Sequence, residues 1–168
     1  MNMRAFWRAM RWPLTVMLLL PGAAVAGADP MVVVEDHRKT YVAQGSYEDV
    51  RDSLEYAITG QGIVINNISH IGDMLSRTAG DIGASVKVYE KAEAFEFCSA
   101  ILSRRMMEAD RHNIVFCPFI ITLYALPGEE GRVYLSYRRP LRTGEAASDA
   151  ALKDVERLLN AIIEEAIQ

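Results

Sequence analysis

One segment, residues 115–137, constrains the fold of this chain more than any other. Val115 to Leu126 is a strongly apolar run, which predicts a strand. It is followed by Pro127-Gly128-Glu129-Glu130-Gly131, whose proline and glycines supply the backbone angles of a turn. Val133 to Tyr137 then returns as a second extended segment. The three parts predict an antiparallel hairpin, so the chain must build a sheet around it.

Before the hairpin, extended and helical patterns alternate. Extended patterns cover 31–35, 62–68 and 86–97, and 40–42 either extends the first strand or forms a second. Helical spacing covers 46–60, 71–79 and 99–110. Ser46 is the expected N-cap of the first helix, with Asp49 three residues later, and Gly60 is its expected stop. After the hairpin, Ser148 is the expected cap of a last helix with one apolar stripe: Leu152, Val155, Leu158, Leu159, Ile162 and Ile163.

This order of elements predicts the α+β class. We expect a two-layer sandwich in which helices pack on one face of a mixed or antiparallel sheet. The C-terminal helix, about residues 148–167, closes the domain. Residues 27–168 show no internal repeat, and their length suits a single domain with a core of its own.

The first 26 residues have the pattern of a secretory signal peptide. Arg4, Arg8 and Arg11 form a basic start, and an apolar stretch at 14–20 follows. Ala24-Val25-Ala26 fits the small-x-small cleavage pattern. The apolar stretch is shorter than the roughly 20 residues of a membrane-spanning helix. We therefore expect cleavage after Ala26 and a periplasmic protein.

Charge excludes one class of partner. The full chain carries 18 basic and 22 acidic residues, a net charge of −4. Cleavage after residue 26 removes three arginines and no acid, which leaves 15 basic residues against 22 acidic and a net charge of −7. Nucleic-acid binding favours a basic face, so we expect no nucleic-acid partner. We also expect no membrane association beyond the signal segment.

Cys98 and Cys117 are the two cysteines, and neither belongs to a CxxC pair. In an exported protein, Cys98 is half of a disulfide, a ligand for a metal or cofactor, or a reactive thiol. If the helix starts at Ser99, its N-terminus would lower the pKa of the Cys98 thiol. Cys117 precedes Pro118 among apolar neighbours, which predicts an inert cysteine in the hydrophobic core. A position at the opposite edge of the sheet from Cys98 would prevent a bridge between them.

The ordered set of elements resembles the bacterial domain of unknown function 302 family. The resemblance covers about residues 41–140 and rests on the capped helix 46–60, the strand 62–68, the Phe97-Cys98 corner and the closing hairpin. It implies a compact α+β sandwich, often dimeric, and it implies no established activity. Many members have Phe-Gly-Asn-Pro where this chain has Phe97-Cys98-Ser99-Ala100, so the chain resembles a cysteine-bearing branch loosely associated with sulfur or redox metabolism.

His70 is the second candidate site residue. It follows the strand 62–68 and matches a histidine common in the family at that place. If this strand and the strand before Cys98 were parallel neighbours, both residues would lie at the same sheet edge. Imidazole and thiolate together suit zinc, copper or haem iron. The alternative for His70 is a helix cap or a surface histidine, and the alternative for Cys98 is a buried or disulfide-bonded side chain.

Three functions remain open on these residues. The first is a binding or accessory protein, expected to be a homodimer, that holds a small ligand, metal or haem near Cys98 and His70. The second is a thiol enzyme or sulfur carrier with Cys98 as nucleophile and His70 as acid or base. The third is a structural or interaction module with inert or bridged cysteines.

Overall fold

The computed structural model of the protein describes residues 31–168, and the signal peptide predicted at 1–26 lies outside the described residues. The strands are β1 Met31–Val34, β2 Arg38–Gln44, β3 Ile65–Ser69, β4 Lys91–Phe97, β5 Phe119–Ala125 and β6 Arg132–Arg138. The helices are α1 Tyr47–Gly60, α2 Ile71–Thr78, α3 Ala100–Ala109 and α4 Ala146–Ala166. Short 3₁₀ turns occupy Gly80–Ile82 and Arg111–Phe116.

The six strands form one sheet in the order β1-β2-β6-β5-β4-β3. Every neighbouring pair is antiparallel. The predicted hairpin is the β5–β6 pair at the centre of the sheet, with Leu123 opposite Leu135. Of the mixed and antiparallel sheets left open by the sequence, the structure has the antiparallel one.

Three helices cover one face of the sheet and enclose the core. Alternate residues of the central strands, such as Phe95, Phe97, Ile121 and Leu135, point toward these helices and are fully buried. Helices α1 and α3 both contact α4. The α+β sandwich with a closing C-terminal helix is thus confirmed.

Helix α2 packs against the beginning of β4 instead of against the other helices. Gly72 lies so close to this strand that an added Cβ would be 2.8 Å from the backbone nitrogen of Ala92. A side chain at residue 72 would therefore force α2 away from the sheet. This contact holds the turn between β3 and α2, which carries His70, against β4.

Several local expectations were wrong in detail. Helix α4 starts at Ala146, before the expected cap; Ser148 lies within the first turn, fully buried, and its Oγ accepts a hydrogen bond from Asn113 Nδ2 at 2.7 Å. The strand expected from Val115 begins only at Phe119, because residues 111–116 form the 3₁₀ turn that contains Asn113.

Candidate functional site

The two cysteines lie together at one end of the sheet. Cys98 follows the last residue of β4, and Cys117 lies two positions before the first residue of β5, with a cis peptide bond to Pro118. Phe97 is opposite Phe119 in the ladder, so antiparallel pairing carries both cysteines just past the last paired residues. Their Sγ atoms are 2.7 Å apart, and both residues are half-buried free thiols.

This geometry overturns the case considered from the sequence, in which Cys117 lies at the opposite edge of the sheet and no bridge can form. The reason is the strand direction: in an antiparallel pair, the end of one strand meets the start of its neighbour. The distance between the two sulfur atoms is within easy reach of a disulfide bond, whose usual length is about 2.05 Å. A bridge between the two residues is therefore sterically accessible.

The expected lowering of the Cys98 pKa is also wrong. Burial, and after it the hydrogen bond with the neighbouring Cys117 thiol, raise the pKa of the Cys98 thiol to about 11. The N-cap of α3 is Ser99, whose Oγ accepts from Leu102 N at 3.4 Å, so Cys98 stands one residue outside the helix. The helix N-terminus is satisfied by a hydroxyl, and the thiol keeps its proton.

His70 does not lie near the cysteines. It follows β3, whose last residue, Ser69, is opposite Ala94 near the start of β4. Because β3 and β4 are antiparallel, their C-terminal ends point to opposite ends of the sheet. From Glu93, which His70 contacts, to Cys98 the strand advances five residues, about 16 Å at the usual rise. A joint ligand set of His70 and Cys98 is thus ruled out by the sheet topology.

His70 belongs instead to a polar cluster around Glu93. The carboxylate of Glu93, whose side chain is 12% exposed, accepts hydrogen bonds from Arg51 and Tyr47 and contacts the His70 ring. His70 Nδ1 is 2.8 Å from Oε1, Arg51 Nε is 2.9 Å from Oε2, and Tyr47 OH is 3.2 Å from Oε2. Burial raises the pKa of Tyr47, and the Glu93 charge raises it further. The cluster fixes Nδ1 of His70, whose side chain is 59% exposed, toward the carboxylate.

The Glu93 cluster was missed in the sequence, although a signal for it exists. In the β4 sequence Lys91-Ala92-Glu93-Ala94-Phe95-Glu96-Phe97, residue 93 falls on the same face as the two phenylalanines. Strict alternation thus places an acid on the buried face of the strand. A buried carboxylate needs donors, and Tyr47 and Arg51, one helical turn apart on α1, provide them.

Comparison with known proteins agrees with the architecture. Residues 38–167 match the family described as domain of unknown function DUF302, which is more than half of the chain and includes α4. The chain belongs to the DUF302 family. No curated protein matches the chain.

A solved DUF302 structure shares the fold. It is described as the crystal structure of an uncharacterized conserved protein DUF302 from Bacillus stearothermophilus. The two chains are 15% identical with a TM-score of 0.65, and the match covers 79% of this chain and 99% of the other. At this identity the similarity establishes the fold of this DUF302 protein alone. Its chemistry must be inferred from its own residues.

Two further findings bear on the possible sites of this DUF302 protein. Within residues 31–168, no group of three or more His, Cys, Asp or Glu side chains is placed to hold a metal ion. Over the same described range, no helix has the length and apolarity needed to cross a membrane.

Proposed function

We propose that this protein is an exported thiol protein in which Cys98 and Cys117 work as one reversible dithiol–disulfide pair. The 2.7 Å separation of their sulfur atoms carries the proposal. The two residues are held by neighbouring strands of one sheet, so a small rotation of the side chains suffices to bring the sulfurs to bonding distance. The pair requires no movement of β4 relative to β5.

The chemistry of the pair is an exchange of two electrons with a disulfide-bearing acceptor. A thiolate of the pair attacks a sulfur of the acceptor disulfide, forming a mixed disulfide and releasing the first acceptor thiol. The second cysteine then attacks its neighbour, so that the Cys98–Cys117 bond forms and the second acceptor thiol leaves. Two protons leave the cysteines and two are taken up by the acceptor thiols. The reverse sequence reduces the pair.

The raised pKa of Cys98 favours this pair over a thiol enzyme with Cys98 as nucleophile. With a pKa of about 11, about one Cys98 thiol in ten thousand is ionised at neutral pH. His70, the base expected from the sequence, lies at the other end of β4. Thiol–disulfide exchange by Cys98 with general oxidants is therefore slow. A slow rate suits a stable or selective dithiol–disulfide pair and does not suit an enzyme that needs a fast thiol nucleophile.

A second candidate function is the binding of a soft metal ion between the two sulfurs. Thiolate ligands select ions such as Cu(I), and the facing sulfur atoms of Cys98 and Cys117 favour this candidate. Zinc or haem iron would need additional ligands, and His70 is too far along the sheet to be one of them. Within this proposal the protein retains the binding role expected from the sequence, with Cys117 in place of His70.

The setting of this function also remains a proposal. Export through the signal peptide at 1–26 would place the cysteine pair in an oxidising compartment, where a disulfide persists. A cysteine-bearing branch of the family with a role near sulfur or redox metabolism is consistent with such a pair. The homodimer implied by the family resemblance stays a prediction.

Equilibration of the purified protein in glutathione buffers of graded redox ratio tests the proposal. We expect an internal disulfide whose fraction follows a two-electron curve in the wild type and in Ser103→Ala, a control that changes a neighbour of Cys117 but keeps both thiols. Cys98→Ser and Cys117→Ser should form only mixed disulfides with glutathione. Independent glutathione adducts on both cysteines of the wild type, without an internal bond, would overturn the proposal. Stoichiometric Cu(I) binding lost in both single variants would instead support the second candidate.

A further inference from the structure

A cavity of about 380 Å³ lies against the central strands; Glu93 is among its lining residues, and neither Cys98 nor Cys117 is. This volume is at the lower end of the roughly 300–1,000 Å³ typical of small-molecule sites. Residues from both faces of the sheet border it. On β4, β5 and β6, those whose side chains share the face away from α1, α3 and α4 are Ala92, Ile120, Thr122, Tyr124, Ser136 and Arg138.

The floor of the cavity is made of small side chains with hydroxyl groups. Ser136 lies between Thr122 on β5 and Thr40 on β2. Its Oγ donates to Thr40 Oγ1 at 2.8 Å, and Thr122 Oγ1 donates to the Ser136 carbonyl at 3.0 Å. Ala92, on the neighbouring strand β4, is equally small. Because these side chains are small, they leave space above the middle of the sheet. The hydroxyl groups provide polar contacts at the floor of the cavity.

Aromatic rings form the wall at one end. Tyr124 stacks on Tyr134 with ring centroids 5.0 Å apart, and Tyr89 meets Tyr124 edge-on at 5.6 Å. These contacts hold the Tyr124 ring in place, since each neighbour packs against a different part of it. Ile71 from α2 also lines this end, whereas Ile120 lies four residues along β5 from Tyr124, toward Arg138. This end therefore suits an aromatic or branched apolar group.

The opposite end is cationic. Arg38 and Arg138 are directly opposite each other on β2 and β6 and both line the cavity. Arg38 is neutralised by Glu35, with Nε 2.6 Å from Oε2. Arg138 has no carboxylate within ion-pair distance among residues 31–168, whereas the adjacent Arg139 is paired with Glu156 at 2.7 Å. An unpaired guanidinium at the rim of a cavity is suited to a carboxylate, which it can bind through two parallel hydrogen bonds.

We propose that this cavity binds a small organic acid with an aromatic or branched apolar body. The carboxylate lies at Arg138, the body lies against Tyr124 and Ile120, and polar substituents meet the hydroxyls of Thr122 and Ser136. In a protein whose net charge is negative, the unpaired Arg138 supplies the local attraction that an anion requires. This binding site is independent of the redox state of the cysteines, although Phe116 and Pro118, which flank Cys117, border the same cavity.

Fluorine NMR with a matched pair of probes tests the proposal. The probes are para-fluorophenylacetate and its neutral analogue para-fluorophenylacetamide, each titrated into the full mature chain. We expect the acid to bind about tenfold more tightly than the amide, in line with the usual value of a hydrogen bond to a charged group. Arg138→Gln should abolish this preference, and Ile120→Trp, which fills the cavity, should weaken both probes.

Arg132→Gln is the matched control. Arg132 lies on the same strand and the same face as Arg138 but at the other end of β6, outside the cavity lining. It should keep the preference of the wild type for the acid. Circular dichroism identifies any variant that has lost its fold. The proposal is overturned if neither probe binds at millimolar concentration, if acid and amide bind equally, or if folded Arg138→Gln retains the preference.

Discussion

Cys98 Sγ lies 2.7 Å from Cys117 Sγ, where the end of β4 meets the start of β5. The two residues are 19 positions apart in the sequence, and the intervening chain forms α3 and the 3₁₀ turn at Arg111–Phe116. A bond between them would close this segment into a loop anchored on two paired strands. It would therefore restrict the unfolded chain much more than the folded one.

Oxidation of the pair should stabilise the protein. Closing a loop of this length removes unfolded-state entropy worth about 3 kcal/mol in the chain-entropy description. Urea unfolding of the wild type should give a higher free energy of unfolding for the oxidised than for the reduced form. The Cys117→Ser variant should show no difference between the same two conditions. Equal stability of oxidised and reduced wild type would show that the two sulfurs do not bond.

The reaction of Cys98 with iodoacetamide should be slow at neutral pH and should accelerate up to a pH of about 11, because the thiolate is the reacting form. The same raised pKa affects stability. Since the unfolded chain releases this proton at lower pH, the contribution is present below the ordinary thiol value of about 8.5 and is lost as pH rises toward 11. Peptide-resolved mass spectrometry of Cys117→Ala isolates the Cys98 rate, and a rate that levels off below pH 9 would contradict the burial argument.

The fold was more predictable from the sequence than the site was. The β5–β6 hairpin, the Ser46 cap and the stripe of α4 are local patterns, and each needs only neighbouring residues to be recognised. Whether His70 and Cys98 meet depends on the direction of β3 relative to β4, which is a property of the whole sheet. The direction of β4 relative to β5 likewise decides whether Cys98 and Cys117 meet. Parallel pairing of β3 with β4 would have brought His70 toward Cys98, whereas the antiparallel pairing of β4 with β5 brings Cys117 there.

The N-cap of α3 shows a second reason why the site was harder to predict from the sequence than the fold. The sequence places Cys98 near the start of a helix, but a shift of one residue decides whether the thiol or the Ser99 hydroxyl serves as the cap. Helix boundaries are uncertain by one or two residues in any assignment. The raised pKa of Cys98 comes from its burial and from the Cys117 thiol, and neither is predicted by the position of a helix cap.

Glu93→Gln should destabilise the fold. The substitution removes the charge that Arg51, His70 and Tyr47 share, and hydrogen bonds to charged groups contribute about 1.5–3 kcal/mol. Chemical denaturation should show a loss of this order. Glu48→Gln is the control, because Glu48 pairs with Lys91 on the surface and is expected to change stability by less than about 1 kcal/mol. If both substitutions lowered the free energy of unfolding equally, the claim that Glu93 is a stabilising centre would be contradicted.

Three tyrosines should resist ionisation in the folded protein. Burial raises the pKa of Tyr41, Tyr47 and Tyr137, and neighbouring carboxylates raise it further. The unfolded chain releases these protons near pH 10, so the folded state loses stability as pH rises above that value. Ultraviolet titration should show part of the phenolate signal only on unfolding. Ionisation of all seven tyrosines near pH 10 in the folded protein would contradict this.

Intact-mass spectrometry of the purified protein, before and after reduction, tests the central claim most directly. We predict that the oxidised chain is lighter by two hydrogen atoms, that a single digested fragment pair joins Cys98 to Cys117, and that mild reductant restores the mass. Treatment with a small disulfide should then re-form the same bond. A chain that keeps two alkylatable thiols after oxidation, or that bridges Cys98 to a second chain instead of to Cys117, would contradict the account.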